Sequence, residues 1–354
     1  MKINLFSKIN CPECKSKLEI KEEKMKNNEI FEGKIICSKC KEEYEIRNYI
    51  PRFVKKENYS ESWGDLWGKT GNTLRDSDTG DTFYYDTIFG KWSEENVGKK
   101  GYSPFGFEWE KDLKGEKILE IGPGLGVCTE HLVKTNSEIL SVDMSNAIDA
   151  FPEKLLTNRN LNVIQADINS GILKEEQFDK IWMFQVLQHT PSPPDTLKNL
   201  YKLLNKGGEI SFTSYSVSHH PYRFITKKLS FKSIYNLLEV LLPIKYRLQK
   251  IFKDMKMPGI SKLVHIMSHP IDPRNLYFDT IEGNRSDWLT GKLYKKTKDK
   301  KQLFWFSVVN TFDAITPEYV NSANHEQIKK WTENAGYREI NIWGKSGVRV
   351  KAKK

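Results

Sequence analysis

The apolar run Lys117-Ile118-Leu119-Glu120-Ile121 passes into Gly122-Pro123-Gly124-Leu125-Gly126, and this junction constrains the chain more than any other stretch. It reads as a buried strand entering a glycine turn, with a helical pattern following through Val127, His131, Leu132 and Val133. Glycine suits such a turn because a side chain would hold a ligand away from the backbone. By itself this junction is only a nucleotide-binding hint. Further strands follow in order. Glu138–Asp143 ends in a carboxylate about 20 residues beyond the turn, the spacing at which an acid can accept both hydroxyls of a ribose. Residues 162–168 form a third strand with Asp167 at its end, and residues 178–185 a fourth. An amphipathic helix over 194–204 stops at Lys206-Gly207-Gly208, and residues 209–215 form a fifth strand. The alternation predicts a doubly wound α/β sheet with its ligand crevice at the strand C-termini.

Four of the five cysteines fall in two pairs, Cys11-Pro12-Glu13-Cys14 and Cys37-Ser38-Lys39-Cys40, separated by 22 residues. Each pair can offer two thiolates from a tight turn, and together they complete the sulfur tetrahedron that Zn2+ accepts. The spacer has room for a hairpin, such as residues 17–20 with 30–36. With four protein ligands no position remains for a reactive water, so the metal is expected to be structural; a redox dithiol pair is the alternative. Cys128, after the glycine turn, reads as a buried helix position.

The series formed by residues 119–126, Asp143, 165–168, 178–189 and 203–213 resembles the class I S-adenosylmethionine-dependent methyltransferases. The resemblance spans about residues 110–216 and resumes at the C-terminus. A dehydrogenase would usually carry G-x-G-x-x-G, whereas this turn has glycines only at 122, 124 and 126. The resemblance implies a Rossmann-like, mostly parallel seven-stranded sheet with an antiparallel last strand, and S-adenosylmethionine as cofactor. It also implies roles. Gly122, Gly124 and Gly126 would pass beneath the methionine part, and Glu120 would help hold its amino group. Asp143 would take the ribose hydroxyls, Asp167 the adenine amino group with Ile168 nearby, and Gln185 would begin the segment beside the transferring methyl. Two departures stand out: Pro123 replaces the commoner small residue, and Gln188 stands where relatives often have a first histidine. The cysteine pairs and Tyr44–Phe53 are similar to small zinc ribbons that accompany methyltransferases.

The expected organisation is a zinc ribbon over 1–57, a linker over 58–109 that the similarity of Trp63–Gly68 and Asp76–Tyr85 to a bacterial methyltransferase subgroup implies is an active-site lid, and a methyltransferase domain over 110–354 with a cap insertion at 217–318. Trp63, Trp67, Tyr84 and Tyr85 could stack on sugar rings or cofactor, or simply fill the domain junction. Residues 325–336 read as a helix, and Arg338–Trp343 with 347–352 as the closing antiparallel pair. The ribbon and residues 310–319 resemble a bacterial subgroup associated with surface-polysaccharide and natural-product pathways. That resemblance implies a small-molecule or sugar/glycan-precursor acceptor, most simply methylated at oxygen. His189, His219, His220 and Asp313 are the candidate general bases, with His189 favoured.

Charge leaves other partners open. The chain carries a net +10, and residues 216–301 hold 18 Lys and Arg against 7 Asp and Glu. Such a segment could face nucleic acid, an anionic membrane surface, an anionic substrate or only water. An RNA methyltransferase using ribbon and cap for RNA is thus the alternative function, and a non-catalytic cofactor-binding partner protein a third. The helix expected over 231–255, broken at Pro243, reads as packed on its own core or lying on a membrane surface. No partner for the ribbon is identifiable. No run approaches the ~20 apolar residues of a spanning helix, and the first apolar stretch is short for a secretory signal. The cytoplasm is the expected location.

Overall fold

The computed structural model describes residues 1–54, 58, 60, 75–80, 82–91, 106–215, 231–267, 317–344 and 347–354. Its strands are β1 (Leu18–Lys26), β2 (Glu29–Cys37), β3 (Glu43–Arg47), β4 (Ile50–Arg52), β5 (Lys117–Ile121), β6 (Glu138–Asp143), β7 (Leu161–Gln165), β8 (Phe178–Met183), β9 (Leu204–Tyr215), β10 (Arg338–Trp343) and β11 (Gly347–Lys353). The helices are α1 (Asp76–Thr79), α2 (Phe83–Phe89), α3 (Thr129–Leu132), α4 (Glu153–Leu156), α5 (Pro193–Leu203), α6 (Phe231–Asp254), α7 (Pro258–Met267) and α8 (His325–Asn334).

The strands form one sheet in the order β1-β2-β3-β4-β7-β6-β5-β8-β9-β11-β10. β7, β6, β5, β8 and β9 run parallel. β11 enters antiparallel between β9 and β10, completing the seven strands expected from the sequence. Alternation along the strands divides two cores. Leu119, Ile121, Leu140 and Val142 share one with Leu197 and Leu200 of α5 and Ile328 of α8. Ile118, Ile139, Val163 and Trp182 share the other with Ile88, Phe107 and Trp109.

The cysteine-bearing strands extend this sheet. β1 and β2 pair as a hairpin longer than expected, and β4 joins β7 in parallel through Arg52 and Gln165. Phe53 N–H donates to the Gln165 carbonyl at 2.7 Å. Leu5, Ile9, Cys11, Leu18, Ile35 and Ile46 lie in the same core as Leu119 and Val142, so the cysteine-bearing strands are welded to the central sheet.

Three local expectations shift. The helix after the glycine turn is limited to Thr129–Leu132. α5 ends at Leu203, and the chain enters β9 directly, carrying Gly207 at φ +76° within the strand. Pro243 does not break α6, which runs through it. Of the cap, only residues 231–267 and 317–318 are described; Trp63, Trp67, His219, His220 and Asp313 lie outside the described residues.

Candidate active site

The predicted cofactor residues sit at the C-terminal ends of four adjacent strands. In sheet order these are Asp167 after β7, Asp143 on β6, the glycine turn after β5 and Gln185 after β8. Neighbouring strands lie about 4.8 Å apart, so the row offers an elongated ligand successive points of contact.

The turn folds as its glycines require. Gly122, Gly124 and Gly126 have φ of +67°, +56° and +81°. A Cβ at Gly122 would come within 2.2 Å of Val186 Cγ2, whereas one at Gly124 would meet nothing within 4 Å. Backbone is therefore open beside Gly124. Asp143 Oδ2 accepts from Gly124 N–H at 2.9 Å, and Oδ1 accepts from Ser145 N–H at 2.8 Å and its hydroxyl at 2.7 Å. Burial raises this carboxyl above its usual range against those donors. Asp167 Oδ1 accepts from Asn169 N–H at 2.8 Å, and Ile168 is half-buried against the core.

Glu120 is almost wholly buried. Ser141 and Thr129 hydroxyls donate to Oε2 at 2.6 and 2.7 Å, while Oε1 has no hydrogen-bond partner. Burial pushes the carboxyl up to about 7. An unsatisfied buried carboxylate oxygen next to a glycine turn fits a cationic ligand group, reached directly or through water. The donor and acceptor set thus fits S-adenosylmethionine, with its ammonium, ribose hydroxyls and adenine amine.

Gln185 occupies the left-handed region at φ +56°, uncommon for a residue with a Cβ. Its N–H donates to Thr213 Oγ1 at 2.7 Å, and its carbonyl accepts from Gln188 Nε2 at 2.8 Å. These bonds hold the strained backbone where β8 meets the crevice. Gln188, in the place of the family's histidine, is therefore a buried brace. His189 follows in a 3-10 turn, Leu187–His189, with its ring edge-on to Tyr215. Its Nδ1 lies 3.0 Å from the Tyr319 carbonyl, which can only accept. That assigns the proton to Nδ1 and the basic lone pair to Nε2.

The structure adds residues that the sequence reading missed. Arg52 of β4 is buried; Nη1 donates to Gln165 Oε1 at 2.9 Å and Nη2 to Asp149 Oδ1. Gln165 Nε2 donates to the Met144 carbonyl at 3.2 Å and Asn146 Oδ1 at 2.9 Å. A β4 side chain thus secures the loop after Asp143. Lys15, beside Cys14, donates to the Ser170 carbonyl in the loop after Asp167. The four cysteine sulfurs lie within 4.8 Å of one another, with Cys14–Cys37 at 3.4 Å and Cys11–Cys40 at 3.6 Å. Tetrahedral zinc with Zn–S near 2.3 Å needs sulfurs about 3.8 Å apart. The residues fit Zn2+.

A second cluster fastens residues 75–91 behind the glycine turn. His131 Nε2 lies 2.9 Å from Asp76 Oδ2 and 3.3 Å from Glu130 Oε1, all three residues being buried. Tyr85 N–H donates to Asp76 Oδ2 at 2.9 Å, Ser77 N–H to Glu130 Oε1 at 3.1 Å, and Arg75 Nη1 to the Leu125 carbonyl at 3.2 Å. Tyr84 is buried against Phe83 and Phe184, and Tyr85 rests on Phe89 and His131. Both fill the junction.

Burial works to lower the His131 pKa, but hydrogen bonds to Asp76 and Glu130 raise it overall. Burial likewise works to raise Glu130, yet His131 and Ser77 hold it down to about 2. A raised histidine stabilises the fold below its unfolded pKa of about 6.5 and loses that contribution as pH rises through the folded value. Depressed Glu130 contributes above its unfolded value of about 4.3 and loses this as pH falls toward 2. The melting temperature should therefore fall through this cluster as pH rises above about 6.5. His131→Gln should flatten that slope in a melting series; an equal slope in the variant would remove the cluster from the pH response.

Residues 119–212 match a family model described as a methyltransferase domain. A ubiquinone biosynthesis O-methyltransferase of Pseudomonas fluorescens is 25% identical over 141 residues, 38% of this chain and 61% of that protein. One from Pseudomonas syringae pv. tomato is 24% identical over 155 residues, 42% and 66%. The chain thus spans less than two thirds of these relatives' length. Among solved structures, phosphoethanolamine N-methyltransferase 2 of Haemonchus contortus in complex with S-adenosyl-L-methionine has 16% identity and a TM-score of 0.38, over 85% of this chain and 48% of that one. A SAM-dependent methyltransferase from Aquifex aeolicus has 13% identity and a TM-score of 0.35, over 69% and 84%. Residues 119–212 thus match a methyltransferase domain, and the strand order around them is that of the class I methyltransferase α/β fold.

Proposed function

We propose that the chain is an S-adenosylmethionine-dependent methyltransferase that methylates oxygen on a small molecule or a sugar/glycan precursor in the cytoplasm. The observation that carries the reading is the row of Asp167, Asp143, glycine turn and Gln185 on four neighbouring strands. The names of the curated relatives support transfer to oxygen. When bound, the cofactor supplies a methyl group on a sulfonium. Methyl transfer is an in-line displacement, so the protein's task is alignment. Asp143 and Asp167 fix one end of the cofactor, and Glu120 serves its amino group. His189 takes the acceptor hydroxyl's proton on Nε2 while Tyr319 holds the ring. The four cysteines hold a structural Zn2+ that fastens the ribbon.

His189→Gln is expected to lower kcat by about 100-fold or more, the scale of general-base catalysis, with the Kd for S-adenosylhomocysteine within twofold. Unchanged turnover removes His189 from the chemistry. Failure of the unaltered protein to bind S-adenosylhomocysteine at a single saturable site contradicts the function itself.

A further inference from the structure

Helix α6 buries one face and displays an unlike one. Leu238, Leu242, Lys245 and Gln249 are buried, and Ser261 on α7 donates to the Gln249 carbonyl at 3.4 Å. A separate face carries Leu237, Val240, Ile244, Leu248, Ile251 and, just past the helix end, Met255. Their exposures are 41, 59, 49, 42, 51 and 60%. The intervals of three and four residues place all six in one stripe along a helix of 3.6 residues per turn. Met257, 40% exposed, and Leu263 of α7, 52% exposed, are further exposed apolar side chains of this region. A contiguous apolar row of this kind marks a surface built for contact.

Charge selects the occupant. Residues 231–267 contain seven Lys and Arg against Glu239 and Asp254. Arg247, Lys250, Lys253, Lys256 and Lys262 are exposed. Two copies of this chain meeting stripe to stripe would bring like charge against like charge. A nucleic acid would engage the lysines but leave the six aliphatic side chains without a partner. An anionic bilayer accepts both, the side chains entering among the acyl chains and the cations facing headgroup phosphates. Among the described residues no helix is long and apolar enough to cross a membrane, which fits a helix lying in the interface.

We infer that the stripe Leu237–Val240–Ile244–Leu248–Ile251–Met255, with the basic residues around it, docks the protein on an anionic lipid surface. This inference rests on α6 itself and not on the methyl-transfer reading.

The test is flotation of the full-length protein with phosphatidylglycerol/phosphatidylcholine vesicles, with phosphatidylcholine vesicles alone in parallel. Binding is expected on the anionic vesicles at 50 mM NaCl, weakening about tenfold or more at 500 mM and on the neutral vesicles. The double variant Ile244→Glu/Leu248→Glu should lose about tenfold or more, with unchanged helix content and S-adenosylhomocysteine affinity. Arg247→Glu/Lys256→Glu, altering exposed cations beside the stripe and just past its end, should lose about tenfold on anionic vesicles alone. Absence of binding at low salt overturns the proposal. So does equal binding by the Glu variant, which would leave a purely electrostatic contact. A dimer that the Glu variant converts to monomer, with no vesicle binding, would assign the stripe to a second copy instead.

Discussion

Asp143→Ala is expected to weaken S-adenosylhomocysteine binding by about 100-fold or more, since hydrogen bonds to a charged group are worth about 1.5–3 kcal/mol each and a ribose offers two. The carboxylate also organises the site before any ligand arrives. Its Oδ2 accepts from Gly124 and its Oδ1 from Ser145, so its loss also releases the turn that exposes the backbone beside Gly124. Asp143→Asn should fall between wild type and alanine. The amide keeps one acceptor oxygen but turns an NH2 toward a backbone donor, Gly124 or Ser145. Calorimetric titration gives the affinities, with Ser145→Ala as the milder control. An alanine variant within fivefold of wild type would place the ribose elsewhere.

Removal of the proposed zinc has the second large expected effect, and it reaches beyond the cysteine-bearing strands. A structural zinc site contributes folding energy directly, so chelation or Cys37→Ser should lower the melting temperature by about 10 °C or more. Because Cys11 and Ile35 share a core with Leu119 and Val142, loosening does not stop at β4. Arg52 braces Gln165 and the loop after Asp143, and Lys15 braces the loop after Asp167. Affinity for S-adenosylhomocysteine should therefore fall about fivefold to tenfold on chelation at a temperature where the protein remains folded. Arg52→Met should reproduce the affinity loss with zinc retained. Arg52→Lys should recover it only in part, since an ammonium cannot span Gln165 and Asp149 as a planar fork does. A zinc-free protein with undiminished affinity would make the ribbon a passive appendage.

The parts of the fold legible in the sequence were those written locally. Strands ending at Ile121, Asp143 and Gln165 announce themselves by apolar runs, and the left-handed turn by its glycines. The paired cysteines fall together because each pair is set by its own tight turn. What escaped depends on chain segments meeting in space. Arg52 is an ordinary strand residue until β4 pairs with β7, more than a hundred residues away. His131 shows helical spacing and nothing else; its role appears once Asp76 is brought beside it. The end of α5 was legible, but the start of β9 at Leu204 rather than at 209 was not, because Gly207 lies inside the strand, where its positive φ accompanies an irregular register with β8. The stripe on α6 was visible as a periodic apolar pattern, but only exposure distinguishes an unburied face from a core one.

The most direct measurement is transfer of labelled methyl from S-adenosylmethionine by the purified protein into a fractionated cell extract. Label is expected in the small-molecule, sugar-nucleotide or lipid-linked fraction, stable to nuclease and lost in Asp143→Ala. Label confined to a nuclease-sensitive fraction would contradict it and make the basic segment an RNA-binding surface. No transfer to any fraction, with S-adenosylhomocysteine bound normally, would reduce the domain to a cofactor-binding partner.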